Sequence, residues 1–203
     1  DVLAGQTGRL ARLAADISEV SVAEEGQLSL RKSSVLVDDL IDEAAEAARD
    51  QYARKNVNLV TVAPKPPGLT VTVDRLRIAQ VLSNLLSNAL RHTPTRGVVS
   101  MSVRAVGEEI HIIVADDGEG MTPDQLLHAF ERFFRGDSAR DRDRSGSGVG
   151  LTISKAIADL HGGSLSASSD GPSRGSKFLL TLPMATTQRR SQAIEPHPNA
   201  EST

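Results

Sequence analysis

Two alternating β-branched runs, VVSMSVRAV at 98–106 and EIHIIVADD at 109–117, are separated only by Gly107 and Glu108. A two-residue break containing glycine predicts a β-hairpin, which fixes an antiparallel pair at the centre of the chain. More strands are expected around it. VNLVTVA and LTVTV flank the proline-rich PKPPG and read as a hairpin or as neighbouring strands, while SLSASS and SKFLLTLP close the folded part. Gly26 with Leu28 and Leu30 suggests a turn and an edge strand.

Helices come singly between these strands. Leu10, Leu13, Ile17 and Val20 alternate spacings of three and four, a narrow coiled-coil-like seam that suits either a surface helix packed on the domain or a dimer contact. A second helix is expected from near Ser34 to about Lys55, with Leu36, Leu40, Ile41, Ala44, Ala47 and Ala48 on one face and Asp38 and Asp39 suiting the dipole of its first turn. A third runs from about Arg75 to His92, closed by Pro94 and Gly97. A last helix, from Val149 to about Leu160, ends at the glycines of HGG. The expected fold class is α+β, a two-layer arrangement of helices on a mixed, mostly antiparallel sheet.

With 39% of its 203 residues hydrophobic, the chain can bury one ordinary core with material left over. Its formal net charge of −3 asks for neither nucleic acid nor an anionic membrane. The absence of cysteine excludes a disulfide framework, a thiolate nucleophile and a cysteine zinc site. No run of eighteen apolar residues occurs, so any membrane attachment is expected only through an upstream part of a parent protein. Beyond Met184 the sequence is rich in Gln, Arg, Pro, Ser and Asn and reads as a disordered tail.

Three short stretches carry chemistry. In QVLSNLLSNALRHTP, residues 80–94, Asn84 and Asn88 lie at i and i+4, so both can face one ligand or ion while Leu82, Leu85, Leu86 and Ala89 face the core. A carboxamide oxygen is a neutral hard ligand, suited to completing a magnesium shell that phosphate oxygens and water already fill. In ADDGEGM, Asp116, Gly118 and Gly120 form D-x-G-x-G at a strand end, where a carboxylate can accept from an exocyclic amine and glycines admit close approach to a planar base. In GSGVGL, Gly146, Gly148 and Gly150 lead into a helix, where unpaired N–H groups and the positive helix end suit phosphate. Each pattern alone is weak, and the last lacks the lysine of a P-loop.

Taken in order, these stretches resemble the ATP-binding catalytic domain of the sensor histidine kinases of two-component systems. The asparagine helix is similar to their N box, DDGEGM to G1, FERFF at 130–134 to the F box and GSGVGL to G2. The resemblance covers roughly residues 28–183 and implies a sandwich of the Bergerat type that binds ATP and Mg2+. It implies that Asn88 holds the metal with Asn84 near the same ion and phosphates, that Arg91 contacts phosphate, and that His92 lies beside the nucleotide. Asn84 and Arg91 are the residues it points to for catalysis. Asp116 would take the adenine amine, Gly118 and Gly120 would line the base, and Gly146, Gly148, Gly150 and Leu151 would close over the triphosphate. Residues 121–147 would form the ATP lid, with Phe130, Phe133 and Phe134 anchoring it to the core.

In the gyrase, mismatch-repair and chaperone ATPases that this fold resembles, a glutamate one turn before the magnesium asparagine serves as general base for water. Asn84 stands there in this chain, an amide without useful basicity. The expected activity is therefore transfer of the γ-phosphoryl group to a protein histidine, for relay to a response regulator. A conformational ATPase and a non-catalytic nucleotide-binding scaffold are the alternatives. The family's acceptor histidine, followed by an acidic residue and an Arg/Pro stretch, has no counterpart among His92, His111, His128, His161 and His197. Residues 1–27 are similar to the second helix of the family's dimerisation hairpin, 28–183 to the catalytic domain, and 184–203 form the tail. The chain is thus expected to be an expression fragment or a natural split kinase, working in the cytoplasm on a histidine-containing dimerisation region in the same parent protein or in a separate polypeptide.

Overall fold

The computed structural model describes residues 29–134 and 148–185. The Leu10–Val20 seam, Gly26 and Leu28, Gly146 with the rest of 135–147, and the chain from 186 onward lie outside the described residues. In order, the elements are β1 (Ser33–Leu36), α1 (Val37–Lys55), β2 (Asn58–Lys65), β3 (Thr70–Val73), α2 (Arg75–His92), β4 (Val98–Val106), β5 (Glu109–Asp116), α3 (Pro123–His128), α4 (Gly150–Leu160), β6 (Ser164–Ser168) and β7 (Ser176–Pro183).

The predicted hairpin is the heart of the larger sheet. Strands β4 and β5 pair antiparallel about Gly107, with Met101 opposite Val114, and β7 pairs with the other edge of β5, placing Phe178 opposite Val114. The strand order is β2-β4-β5-β7-β6, all antiparallel except β2 with β4. Alternation puts Val99, Met101, Val103, Ile110, Ile112, Val114, Phe178, Leu180 and Leu182 on one buried face, against which the helices pack.

The pairing of the two β-branched runs around PKPPG differs from expectation. β2 lies parallel to β4, with Asn58 opposite Val98, and β3 pairs antiparallel with β1, with Ser33 opposite Val73. A parallel pair needs a long crossover, which α2 supplies, so closeness in sequence did not decide the partner. The first described strand starts at Ser33, later than Leu30 suggested. Met184 and Ala185, expected in the tail, are folded. Met184 bridges to Val71 and donates to the Glu108 carbonyl at 2.8 Å, and Ala185 donates to that of Thr70 at 2.9 Å.

Because β1 runs to Leu36, α1 begins at Val37 and its buried stripe is Val37, Leu40, Ile41, Ala44 and Tyr52, with Ala48 packed beside it. Leu36 and Ala47, expected on that face, are exposed. α2 occupies the expected span, with Ile78, Val81, Leu82, Leu85, Leu86 and Ala89 inward. Asp74 caps its start by accepting from the Arg77 amide at 3.3 Å. Thr93 ends it in extended backbone, as a residue before proline must, and its hydroxyl donates to the Ala89 carbonyl at 2.7 Å.

Candidate active site

One helix reaches all three motifs. Asn84 and Asn88 occupy a half-buried stripe of α2, one turn apart, as their spacing requires. The Asn84 amide nitrogen donates to the Gly150 carbonyl and to Ser154 Oγ, each at 3.2 Å, so the start of α4, where the GSGVGL run ends, is tied to this asparagine. At the other end of α2, the His92 carbonyl accepts from the Glu119 amide at 3.1 Å and His92 Nδ1 lies 3.2 Å from Glu119 Oε2. The strand end bearing Asp116 is therefore pinned to the last residue of the asparagine helix.

Asp116 is half-buried at the end of β5 and accepts from the Gly118 amide at 2.9 Å. Burial pushes its carboxyl above the ordinary aspartate value, against the pull of the Gly118 and Ser176 amides and of His92. A half-buried carboxylate at a strand end can accept from an amine.

The glycines here answer first to the protein's own backbone. A Cβ on Gly118 would fall 2.4 Å from the His92 carbonyl oxygen, and one on Gly120, at φ +66°, 2.1 Å from that of Gly171. The loop between β6 and β7 forms the far wall. Gly175 donates to the Gly118 carbonyl at 3.1 Å, Ser173 to that of Glu119 at 2.6 Å, and Ser169 Oγ accepts from the Met121 amide at 3.0 Å. This wall escapes sequence reasoning, although the glycine spacing of SSDGPSRGSKF is its one visible signal.

Residues 121–134, the described part of the 121–147 segment, run back to Gly148. α3 opens with a capping box between Thr122 and Gln125. Phe130 packs on the core and its carbonyl accepts from Thr152 Oγ1 at 2.9 Å. Phe133 anchors through its backbone, donating to the Gly148 carbonyl at 2.9 Å, while its side chain is 54% exposed. The expectation that all three phenylalanine rings anchor the segment fails for Phe133, whose φ of +63° turns it outward. Phe134 stacks on His128 at 5.5 Å. Leu151 is half-buried in the first turn of α4, and Arg91 half-buried in the last turn of α2, where Lys55 Nζ donates to the carbonyls of Leu90 at 2.5 Å and Arg91 at 3.0 Å.

The remaining described histidines have structural surroundings. His161 is buried, donates from Nδ1 to the Ile157 carbonyl at 2.8 Å and accepts from the Asp74 amide at 2.9 Å. His111 lies in β5 beside Glu109, and His128 sits between Asp124 and Glu131. Among the described residues no group of three or more His, Asp or Glu could hold a metal ion. The donors that α2 offers, the carboxamides of Asn84 and Asn88, are neutral and few, which fits a cation that arrives on an anionic ligand. No helix among the described residues is long and apolar enough to cross a membrane.

Residues 73–186, more than half of the chain, match the family model described as histidine kinase-, DNA gyrase B-, and HSP90-like ATPase. The chain is 36% identical over 196 residues to the sensor-like histidine kinase SenX3 of Mycobacterium tuberculosis, covering 94% of this chain and 47% of that protein. It is 32% identical over 188 residues to the signal transduction histidine-protein kinase BaeS of Escherichia coli, covering 93% and 40%. Among solved structures, full-length ShkA in complex with AMPPNP superposes with a TM-score of 0.77 at 25% identity, covering 88% of this chain and 37% of that one. The chain spans about half the length of the curated relatives it matches.

Proposed function

We propose, for a chain that belongs to the histidine kinase-, DNA gyrase B- and HSP90-like ATPase family and is the ATP-binding catalytic domain of a two-component sensor histidine kinase, that it transfers the γ-phosphoryl group of Mg-ATP to a histidine outside itself. The observation that carries this reading is the reach of α2, whose Asn84 is bonded to the start of α4 and whose His92 holds the turn of Asp116. Phosphate-side and base-side groups are set by one rigid element.

In this reading Asp116 accepts the adenine amine and Gly118 and Gly120 shape the base pocket. Asn88, with Asn84 beside it, would hold magnesium, which would supply positive charge to offset that of the phosphates. Arg91 faces phosphate, His92 lies by the nucleotide, and Gly148, Gly150 and Leu151 bring the start of α4 over the triphosphate, joined by Gly146 from outside the described residues. The protein's share is positioning and electrostatic stabilisation, and Asn84 cannot take a proton from water. The acceptor would lie in a histidine-containing dimerisation region and pass the group to a response regulator. A cytoplasmic position, with any membrane attachment supplied upstream in a parent protein, belongs to the same proposal.

Titration with ATP, with and without magnesium, tests it. Binding lost in Asp116→Ala, and magnesium dependence lost in Asn88→Ala, are expected. Absence of binding in the wild-type chain would overturn it in favour of a scaffold that keeps only the fold.

A further inference from the structure

We infer that Ser154 is a positioning residue that locks the orientation of the Asn84 carboxamide, so that only its oxygen is offered to the bound Mg-ATP. The inference rests on the ATP-binding reading above and extends it to a residue outside the glycine and asparagine motifs.

The observations form a closed triangle. Asn84 Nδ2 lies 3.2 Å from the Gly150 carbonyl oxygen and 3.2 Å from Ser154 Oγ, and Ser154 Oγ lies 2.8 Å from that same carbonyl. A carbonyl oxygen only accepts, so nitrogen and not oxygen of the carboxamide must face Gly150. The serine hydroxyl gives its one hydrogen to that carbonyl and is left to accept from Asn84. The amide nitrogen of Asn84 is then turned to α4, and Oδ1 is the atom that remains for a ligand. Ser154 is fully buried, so water does not compete for either bond.

Two consequences follow from the chemistry. First, Asn84 serves as an acceptor through Oδ1, toward a cation or a donor, since turning its nitrogen to a ligand would release α4. Second, a carboxylate at this position would set an anion against the Gly150 carbonyl oxygen and could be met only by the Ser154 hydroxyl at the cost of its bond to Gly150, so an amide joins α2 and α4 without that loss. A serine within a helix ordinarily bonds back to the carbonyl four residues earlier with no gain. Here that back-bond turns the lone pairs of the hydroxyl toward α2. The join sits two residues after Gly148, whose carbonyl holds Phe133, so α2, α4 and the Phe130–Phe134 segment meet at one point.

The test uses the whole chain, Ser154→Ala, Asn84→Ala, the double variant and Asn84→Asp. In nitrogen-15 spectra without nucleotide, the Asn84 side-chain amide protons should exchange slowly in the wild type and rapidly in Ser154→Ala. Affinity for ATP with magnesium should fall roughly three- to tenfold in Ser154→Ala, the loss of one net hydrogen bond, and little without magnesium. The double variant should be no worse than Asn84→Ala. Asn84→Asp should bind Mg-ATP more weakly than the wild type despite its extra charge. Fast-exchanging Asn84 amide protons in the wild type, wild-type affinity in Ser154→Ala, additive losses in the double variant, or tighter Mg-ATP binding by Asn84→Asp would each overturn the inference. A wild-type chain with a protected Asn84 amide, exposed in Ser154→Ala, that binds no ATP would support the lock and overturn the ATP reading alone.

Discussion

Tyr52 Oη donates to the backbone carbonyl of Leu86 at 2.8 Å, joining α1 to the middle of the asparagine helix inside the buried layer. Burial, helped by the charge of Asp116, drives the hydroxyl well above the usual tyrosine value, so it stays a neutral donor at any working pH. Tyr52→Phe keeps the ring and removes the bond, and should lower stability by about 1 kcal/mol. Urea unfolding with an unchanged denaturant slope would register it. No change in midpoint would mean that packing of the ring alone joins the helices.

Gly175, outside the recognised motifs, should be less tolerant than Gly107 inside the central hairpin. Both have positive φ, but a Cβ on Gly175 would fall 1.9 Å from the Asp116 carbonyl oxygen, whereas one on Gly107 meets nothing within 4 Å. Gly107→Ala should cost about 1 kcal/mol from backbone conformation alone. Gly175→Ala should cost about 3 kcal/mol or more and weaken ATP binding through the displaced Asp116. Equal thermal shifts in the two variants would contradict this packing account.

The buried His161 predicts a particular acid sensitivity. Burial holds its pKa below the ordinary histidine value, and a proton on Nε2 would also break the bond from the Asp74 amide. The unfolded chain then binds the proton more readily than the folded one. Stability from this group is full above about pH 6.5 and declines as pH falls from there toward the lowered folded value. His161→Gln should be less stable at pH 7.5 yet lose less on acidification to pH 5.5. Parallel curves for the two proteins would show that His161 is not the sensor.

Asp74 is the hub where three segments meet. Its carboxylate accepts from the amides of Arg31 at 2.9 Å and Arg77 at 3.3 Å, and its own amide donates to His161. Asp74→Ala removes the cap of α2 and the tie to the approach of β1, and should cost about 1–2 kcal/mol in denaturant unfolding. A neutral outcome would mean that water replaces both bonds.

What the sequence disclosed follows a physical division. Features fixed by neighbours in the chain were legible: α2 spans Arg75–His92, its apolar stripe closed ahead of Pro94, and β4 turns into β5 at Gly107. The placement of Asn84 and Asn88 on one helix face and of Asp116 at a strand end was legible, because helix periodicity and strand ends fix it without knowledge of the rest. Pairings fixed by distant segments were not. β2 joins β4 across the whole of α2, Tyr52 finds Leu86 34 residues away, Asn84 finds Ser154 at 70, and Asp74 finds His161 at 87. Single serines, tyrosines and histidines carry no periodic signal, so such contacts cannot be read before the layers are stacked. Gly118 and Gly120 show the same limit. Their identity was legible, whereas the His92 and Gly171 carbonyls that demand it were not.

The most direct measurement is phosphate release by the purified chain at saturating Mg-ATP, with binding confirmed in the same sample. With an amide at Asn84 whose nitrogen is held by α4, and no general base in its place, the account predicts tight binding and almost no release. Steady turnover to free phosphate would contradict it and identify the chain as an ATPase that activates water by another group.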